Sequence, residues 1–454
     1  MQNLRKYSKV LFALSLVFVS LLIFGWPAPA TKAGHINGTL DDSFGTGGKV
    51  TTDFQGTGDL ASSVALQPDG KIVVAGTTFS FSTGSDFAIA RYNSDGTLDP
   101  SFGINGKVTT DFAGAADGAL GVAVQRDGKI VVVGSAIMSG TGSDFAIARY
   151  NSDGTLDAPF GTDGKVTTNI GFTCLGGCPD SAHSVVLQPD GKIVAAGSAL
   201  RLLNGYNFAL ARYNRNGTLD TDFGNDGTVM TKVGSVAGAF EAANSVALQR
   251  DGKIVVAGLA TTFASPDFAV ARFNSDGTID TSFAGTGRVT TDFGIVAPDD
   301  AQAVAVQPDG KIVAAGETFT ITGFDFAIAR YNRDGSIDTS FGGDGRVTTN
   351  FDATTLTFTN DEVLALEIQQ GGRIVAAGAS GAVGIGSGFN FGLARYNDDG
   401  TLDNSFGTGG KVTTDFDGLT DQVSAIALQH DGRIVAAGSA TINGVFDFAV
   451  ARYK

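Results

Sequence analysis

Side chains that commonly carry enzyme chemistry are scarce in this chain. Its 454 residues include only three histidines and two cysteines. The histidines do not cluster, no serine, histidine and aspartate stand at the spacing of a hydrolytic site, and no glycine-rich loop leads into a helix as phosphate binding requires. These absences argue against most nucleophilic, zinc and nucleotide chemistry and leave carboxylates as the main candidates.

Basic residues are also in the minority. Lysine and arginine number 31 against 46 aspartates and glutamates, which gives a formal net charge of −15. Such a surface repels nucleic acid and anionic membranes and attracts cations or basic partners. We therefore expect no nucleic-acid partner.

A long apolar run occurs only near the N-terminus. A basic start precedes the apolar stretch from Val10 to Trp26, and Ala28-Pro29-Ala30 follows it. This is the pattern of a secretory signal peptide, which we place at residues 1–30, followed by a short leader at 31–36. We expect export to the periplasm or the cell exterior, with no membrane insertion after cleavage. The alternative is an uncleaved N-terminal membrane anchor.

The two cysteines stand close together as Cys174-Leu-Gly-Gly-Cys178. In an exported protein this spacing favours a local disulfide. A metal site would need two further ligands, and only His183 lies nearby. A redox-active pair is the third alternative, although the spacing is not Cys-x-x-Cys.

One block of sequence recurs seven times and fills the chain from about residue 37 to its end. It reads Asp-Phe-Ala-Ile-Ala-Arg-Tyr-Asn at Asp86 to Asn93. The steps between successive copies of its arginine are 58, 63, 60, 58, 65 and 57 residues. A period near sixty indicates a stacked or circular repeat architecture. The seven arginines are Arg91, Arg149, Arg212, Arg272, Arg330, Arg395 and Arg452.

Each repeat carries four strand patterns, which we name A to D. In the first unit, residues 63–67, 71–76 and 86–92 give strands A, B and C, and residues 49–53 show the pattern of strand D. Pro68-Asp69-Gly70 forms a tight turn between strands A and B. No segment of the repeats has a sustained helical period, so we predict an all-β protein.

Seven units of four antiparallel strands predict a seven-bladed β-propeller over residues 37–454. The chain begins in the middle of a unit and stops where the missing part would come again. We therefore predict that the strand at residues 49–54 completes the last blade beside residues 424–453 and closes the ring. We expect a monomer.

The loop lengths differ between the two faces of the predicted disc. The A–B turn and the C–D connection keep their lengths in the complete copies, whereas the D–A gap, measured from Val50 to Gln67 and its equivalents, varies from 17 to 22 residues. The B–C and D–A loops lie on one face, which we call the variable face. Binding sites usually occupy variable loops on a rigid scaffold, so we place the ligand there.

An acidic residue stands eight positions before each glutamine that ends strand A. One interpretation is a ring of carboxylates around the channel mouth that binds a cation, with calcium as the candidate ion. The other is that each carboxylate accepts backbone N–H groups in its own loop. The seven residues are Asp59, Asp117, Asp180, Glu241, Asp299, Asp361 and Asp421.

A few acidic or ionisable residues break the symmetry of strand A. Glu367 replaces a small residue, Glu362 and Asp300 each follow one of the seven acids, and His183 begins a strand A. We include Glu367 among the candidate binding residues, with a solvated channel residue as the alternative. Convergence of Glu362, Glu367 and His183 would favour an enzyme, although their units are far apart in the ring.

The recurring arginine favours a structural role. Arg91 and its copies fall near the aspartate of a Thr-Leu-Asp motif, which is Asp99 in the first unit and Asp41 for the last. A buried guanidinium needs an anionic partner, so we predict ion pairs within or between blades.

The motifs Gln67 to Gly76, Phe87 to Tyr92 and Ser101 to Val108 resemble the delta-60 repeat family of bacterial β-propellers. The resemblance covers all seven units and implies an exported bacterial propeller that is similar to NHL-type propellers. It supplies no catalytic residues. We predict a secreted, non-catalytic binding or scaffold protein with a protein or glycan ligand on the variable face. The alternative is a metal-assisted hydrolase or lyase that uses the same face.

Overall fold

The computed structural model describes residues 37–54, 58–80, 84–171, 179–201, 205–262, 265–294, 298–351, 358–381 and 388–454. These residues form strands and turns, and none of them belongs to a helix that could cross a membrane. The predicted signal peptide and leader, and the predicted disulfide between Cys174 and Cys178, lie outside the described residues. Those predictions stay predictions.

Strands recur along the whole of the described chain. In chain order the strands are β1 (Lys49–Thr52), β2 (Asp59–Leu66), β3 (Ile72–Ser80), β4 (Gly84–Tyr92), β5 (Lys107–Thr110), β6 (Asp117–Val124), β7 (Ile130–Met138), β8 (Gly142–Tyr150), β9 (Lys165–Thr168), β10 (Asp180–Leu187), β11 (Ile193–Arg201), β12 (Gly205–Tyr213), β13 (Thr228–Thr231), β14 (Glu241–Leu248), β15 (Ile254–Thr261), β16 (Pro266–Phe273), β17 (Arg288–Thr291), β18 (Asp299–Val306), β19 (Ile312–Thr320), β20 (Gly323–Tyr331), β21 (Arg346–Thr349), β22 (Thr359–Asn360), β23 (Glu362–Ile368), β24 (Ile374–Ser380), β25 (Asn390–Tyr396), β26 (Lys411–Thr414), β27 (Asp421–Leu428), β28 (Ile434–Ile442) and β29 (Val445–Tyr453).

These strands form seven antiparallel sheets, which are the predicted blades. Blades I to VI are β2–β5, β6–β9, β10–β13, β14–β17, β18–β21 and β23–β26, each in the order A, B, C, D. The short β22 pairs in parallel with β20 at the edge of blade V. In blade VII, β1 pairs with β29 outside β28 and β27, with Lys49 opposite Ala451. The seven-bladed β-propeller and its closure by the N-terminal strand are therefore confirmed.

The local sequence explains the shape of each blade. Gly70 has a φ of 86° in the A–B turn, where its N–H donates to the Gln67 carbonyl at 2.9 Å. Strand A then carries a β-bulge, because its register with strand B shifts between Ala61 and Ser63. The bulge brings the Leu60 carbonyl so close to Gly76 that a Cβ there would clash with it. The same arrangement recurs in the other blades, which explains the glycine that ends the Ile-Val-Val-Ala-Gly motif.

The core lies between the blades. One hydrophobic cluster occupies each of the seven interfaces. Between blades I and II, for example, Phe87 packs with Val122 and Tyr150. The cluster between blades VII and I contains Phe44 and Val450. Every interface is thus apolar, including the one that the N-terminal strand helps to form, so the ring has no exposed end to cap.

The recurring arginine connects neighbouring blades on the face formed by the A–B and C–D turns. Arg91 Nε donates to Asp99 Oδ2 at 2.8 Å, and Arg91 also donates to the carbonyl of Ser152 in blade II. Its guanidinium lies 4.5 Å from the centre of the Phe102 ring. The ion pairs predicted for these arginines are confirmed, as the equivalent of Asp99 is within 3 Å of the arginine in each blade.

Candidate functional site

The seven acids of the predicted ring stand at or next to the first residue of strand A, at the variable face. All seven are buried. In blade I, Asp59 Oδ2 accepts a hydrogen bond from the N–H of Phe54 at 2.6 Å. The equivalent donors to Asp117, Asp180, Glu241, Asp299, Asp361 and Asp421 are the N–H groups of Phe112, Ile170, Val233, Phe293, Phe351 and Phe416.

These contacts match the loop-capping interpretation of the acids. Each carboxylate anchors the loop that leaves strand D of one blade to strand A of the next. The same burial removes water from the carboxylates and raises the pKa of Asp117 and Asp361 to about 7 and that of Asp299 and Asp421 to about 6. Whether the acids also bind a ligand stays a prediction.

Three of the acids belong to larger groups that the sequence analysis missed. Asp117 lies with Asp86 and Asp111, and each of the three offers a carboxylate oxygen within 4.8 Å of the others. The antiparallel ladder of strands C and D ends with Phe87 opposite Thr110, so Asp86 and Asp111 follow at the same end. The matching groups are Asp53, Asp59 and Asp447, and Asp267, Asp292 and Asp299.

A second polar group lies on the inner strands. The seven A strands contact one another in a closed circle and so surround the propeller axis. On the variable-face half of these strands, Asn244 Nδ2 donates to Asp300 Oδ1 at 3.0 Å and to the Ala301 carbonyl at 3.0 Å. Gln302 Nε2 donates to Asp300 Oδ2 at 2.8 Å. We call Asn244, Asp300 and Gln302, with the adjoining His183 and Glu362, the axial network.

The axial network is held in an unusual protonation state. Burial, together with the charge of Glu362, raises the pKa of Asp300 to about 8 despite the hydrogen bond from Asn244. Burial lowers the pKa of His183 to about 4, while its hydrogen bonds with the Ala243 carbonyl and with Asn244 oppose that shift. At neutral pH the network therefore holds a neutral imidazole and a carboxyl that is largely protonated.

Two buried atoms of the axial network have no hydrogen-bond partner within the described residues. They are His183 Nε2 and Gln302 Oε1, and both side chains are only 3% exposed. Sequence analysis singled out His183, Asp300 and Glu362 but missed Asn244 and Gln302. Both missed residues stand four positions into strand A, as His183 does, where the β-bulge interrupts the alternation of side chains.

Glu367 does not join this group. Strand β23 pairs Glu362 with Ala379 and Glu367 with Val375, so the two glutamates lie at opposite ends of one strand. Five residues of strand separate them by about 16 Å. Burial raises the pKa of Glu367 to about 8. The convergence of Glu362, Glu367 and His183 that would have favoured an enzyme is absent from the described structure.

The variable face also carries exposed apolar side chains. Among the described residues, those that are large, hydrophobic and exposed include Phe79, Ile137 and Phe319 at the ends of B strands, Ile321 in a B–C loop, and Phe240, Phe358 and Leu419 before A strands. All seven lie at the variable face, and Ile104 is the counterpart on the opposite face. Single exposed apolar residues are ordinary on a protein surface, but here seven of the eight lie at one face.

One family profile matches the repeats along most of the propeller. Its description is "Domain of unknown function (DUF5122) beta-propeller", and it matches residues 67–102, 125–160, 188–223, 249–283, 307–341, 369–406 and 429–454. The chain belongs to the DUF5122 β-propeller family. None of the curated proteins matches this DUF5122 chain.

Several solved structures are similar to this DUF5122 propeller at low sequence identity. A protein of unknown function from Bacteroides caccae is 12% identical, with a TM-score of 0.37, over 78% of this chain and 97% of that one. A catalytically inactive virginiamycin B lyase from Staphylococcus aureus with quinupristin is 13% identical, with a TM-score of 0.43, over 89% and 98%. Sqt1 from Chaetomium thermophilum is 15% identical, with a TM-score of 0.43, over 88% and 96%. These similarities concern the fold alone.

Proposed function

We propose that this DUF5122 propeller is an exported, non-catalytic binding protein that docks a protein partner on its variable face. We also propose that it is one of the exported delta-60 repeat propellers of bacteria, which its repeat motifs resemble. The observation that carries it is the one-sided distribution of exposed apolar side chains. An apolar patch that is rimmed by polar groups is typical of a protein–protein contact.

The best-defined part of the docking surface lies beside blade V. Ile321 is 88% exposed and Phe358 is 58% exposed. Strand β22 holds them close together, because Thr359 pairs with Gly323. Phe319 packs edge-on against Phe324, with ring centres 5.1 Å apart. We call Phe319, Ile321 and Phe358 the blade V patch.

The negative charge of the protein favours a partner with basic residues. The chain has a formal net charge of −15, and a partner with basic residues around an apolar contact would complement it. The predicted glycan ligand would also use aromatic side chains, but the aliphatic Ile321, which is the most exposed residue of the patch, favours a protein.

A retention experiment tests this proposal. Residues 37–454 are immobilised and exposed to exported proteins of the source organism, and the retained proteins are compared between wild type, the double variant Ile321→Ser/Phe358→Ser and the control Ile104→Ser. We expect a protein that wild type and the control retain and the double variant loses. Retention that does not depend on the blade V patch would contradict the proposal, and a glycan that binds through the patch would replace the protein.

A catalytic function is the second candidate, because one observation favours it. Asp300, whose pKa is about 8, lies beside Glu362 and could donate a proton at neutral pH while the neighbouring carboxylate accepts one. The metal-assisted version, with Asp361 and Glu367 as ligands, has less support, since Asp361 accepts the Phe351 N–H and Glu367 is distant. Hydrolase or lyase activity that Asp300→Asn abolishes and Asp344→Asn retains would favour the enzyme.

A further inference from the structure

The β-bulge of strand A leaves one residue of each blade outside the ladder with strand B. In blade III this residue is His183, which lies between the paired residues Ala182 and Ser184. The seven residues at this position are all buried, and the A strands that carry them surround the axis. We call them the bulge ring. In the order of blades I to VII they are Ser62, Leu120, His183, Asn244, Gln302, Leu364 and Ser424.

His183 presents a nitrogen that can only accept a hydrogen bond. Its Nδ1 lies 3.1 Å from the Ala243 carbonyl, and a carbonyl oxygen only accepts, so Nδ1 carries the proton. Burial lowers the pKa of His183 to about 4, which keeps the imidazole neutral at neutral pH and leaves Nε2 with a lone pair. This buried Nε2 receives no hydrogen bond from the described residues. It therefore lacks an N–H or O–H donor.

Gln302 presents a second acceptor of this kind. Its Nε2 donates to Asp300 Oδ2 at 2.8 Å, so Oε1 is the atom of the amide that remains. Oε1 is buried and has no donor in the described structure. In the part of the bulge ring that is polar, only His183 and Gln302 carry such an atom. A buried acceptor without a donor costs free energy, and a bound donor would remove that cost.

Negative charge accompanies the two acceptors. The hydrogen bonds from Asn244 and Gln302 to Asp300 come from neutral amides. The charge of Glu362 adds to burial in raising the pKa of Asp300 to about 8, and a cation beside Asp300 would favour the ionised carboxylate. The axial network therefore calls for hydrogen-bond donors and for positive charge. An ammonium group supplies both, because it has three N–H donors and no acceptor.

A metal ion does not explain these acceptors. The groups of three acidic, histidine or cysteine side chains that converge within 4.8 Å in the described part of the chain include neither His183 nor Asp300. Zinc, which often binds histidine, needs three or four converging protein ligands. An organic cation is longer than a metal ion, so its two ends can reach acceptors on different blades.

We propose that the axial network binds an aliphatic diamine, with one ammonium group donating to His183 Nε2 and the other to Gln302 Oε1. These acceptors belong to blades III and V, so the ligand would cross the inner edge of blade IV. Leu120 and Leu364 flank them in the bulge ring and would contact the methylene groups. Asp300 is partly exposed near the start of strand A, which gives the ligand a route from the variable face. The proposal goes beyond the proposed function, because a diamine can bind without a protein partner.

Calorimetric titration with putrescine at neutral pH tests the proposal on residues 37–454. We expect one putrescine per wild-type chain. Binding should be about tenfold weaker, or more, in His183→Leu and in Gln302→Leu, because each change removes a hydrogen bond to a charged group. Leucine already occupies the equivalent positions of blades II and VI, so the propeller should accept both changes.

Two controls make the titration specific. Ser424→Ala removes a hydroxyl from the bulge ring on the other side of the axis and should bind putrescine as the wild type does. n-Butylamine has the same carbon chain with one ammonium group, and it should bind at least about tenfold more weakly than putrescine. A wild-type chain that binds no putrescine, or an equal loss in Ser424→Ala, would overturn the proposal and leave water as the partner of the two acceptors. Equal affinity for n-butylamine would overturn the use of both ends.

A spectroscopic measurement separates direct contact from damage to the fold. Residues 37–454 contain two histidines, His183 and the exposed His430 of an A–B turn. In a chain labelled with nitrogen-15 histidine, putrescine should shift the Nε2 resonance of His183 and leave that of His430 unchanged. A His183 resonance that does not move at saturating putrescine would contradict the contact. Because partner retention is measured through the blade V patch, a chain that binds putrescine and retains no partner would support this site and refute only the proposed function.

Discussion

Arg330 Nε donates a hydrogen bond to Asp338 Oδ2 at 2.7 Å, and both side chains are buried at the junction of blades V and VI. Arg330 also donates to the carbonyl of Asp398 in the next blade, and Lys311 lies 2.9 Å from the same aspartate oxygen. Burial by itself would raise the pKa of Asp338. The hydrogen bonds from Lys311 and Ser340 and the charge of Arg330 outweigh burial and hold the pKa well below its usual range.

We expect Asp338→Asn to destabilise the propeller by about 3–5 kcal/mol, because it leaves the buried guanidinium of Arg330 with only the exposed carboxylate of Asp398 as an anionic partner. The measurement is the free energy of unfolding from denaturant titration. The control is Asp344→Asn, which breaks an ion pair with Arg346 in which the aspartate is 56% exposed. Exposed pairs contribute no more than about 1 kcal/mol. Equal losses in the two variants would refute a structural role for the buried pair.

The capping acids predict that stability falls from mildly acidic to alkaline pH in the presence of a chelator. The folded pKa values of Asp117 and Asp361, about 7, lie above the unfolded value near 3.9. The folded chain therefore binds more protons than the unfolded chain between these values, and stability is lost as pH rises through the folded pKa. One pKa unit of difference corresponds to about 1.4 kcal/mol.

Thermal melts at pH 5 and pH 8 measure this dependence. Asp117→Asn, which resembles the protonated acid and can still accept the Phe112 N–H, should reduce the fall in melting temperature. The lowered pKa of Asp338 acts in the opposite direction and costs stability only as pH falls below about 4. A melting temperature that stays constant from pH 5 to pH 8 would show that the acids titrate normally.

Closure of the ring predicts that the N-terminal strand is required for stability. A chain that begins at residue 58 lacks β1, the buried Phe44 and Asp41. In the full propeller, Asp41 Oδ2 accepts a hydrogen bond from Arg452 Nε at 2.9 Å. Loss of a buried aromatic side chain or of one ionic partner each costs about 3–5 kcal/mol. We expect this chain to melt at a much lower temperature than one that begins at residue 37. Similar melting of the two would mean that the last blade is stable with three strands.

The left-handed backbone conformation of Ala284 suggests a substitution that should stabilise the propeller. Ala284 has a φ of 50°, at a position where the six other repeats have glycine, among them Gly224 with a φ of 56°. The left-handed region is unfavourable for a residue with a Cβ, by about 1–2 kcal/mol. Ala284→Gly should therefore raise the free energy of unfolding by up to about 1 kcal/mol after the entropy cost of glycine. The reverse change, Gly224→Ala, should lower it, and an opposite pair of signs would contradict this account.

The sequence by itself determined the architecture. A repeat of about sixty residues with four strand patterns defined the blades, and the incomplete first unit predicted the pairing of β1 with β29. The recurring arginine and aspartate predicted a buried ion pair. All of these follow from periodicity and from spacing along the chain. In six blades the neighbouring strands are also neighbours in sequence, and the repeat period identifies β1 as the fourth strand that the last blade lacks.

Only the tertiary structure decided which polar side chains meet. Asp86 and Asp111 reach Asp117 because the end of one blade packs against the inner strand of the next, and no spacing within a repeat encodes that contact. Asn244 meets Asp300 because a bulge in strand A changes the direction of its side chains at the axis. Such groups depend on the rotation between blades and on local breaks in strand alternation, which the hydrophobic pattern does not record.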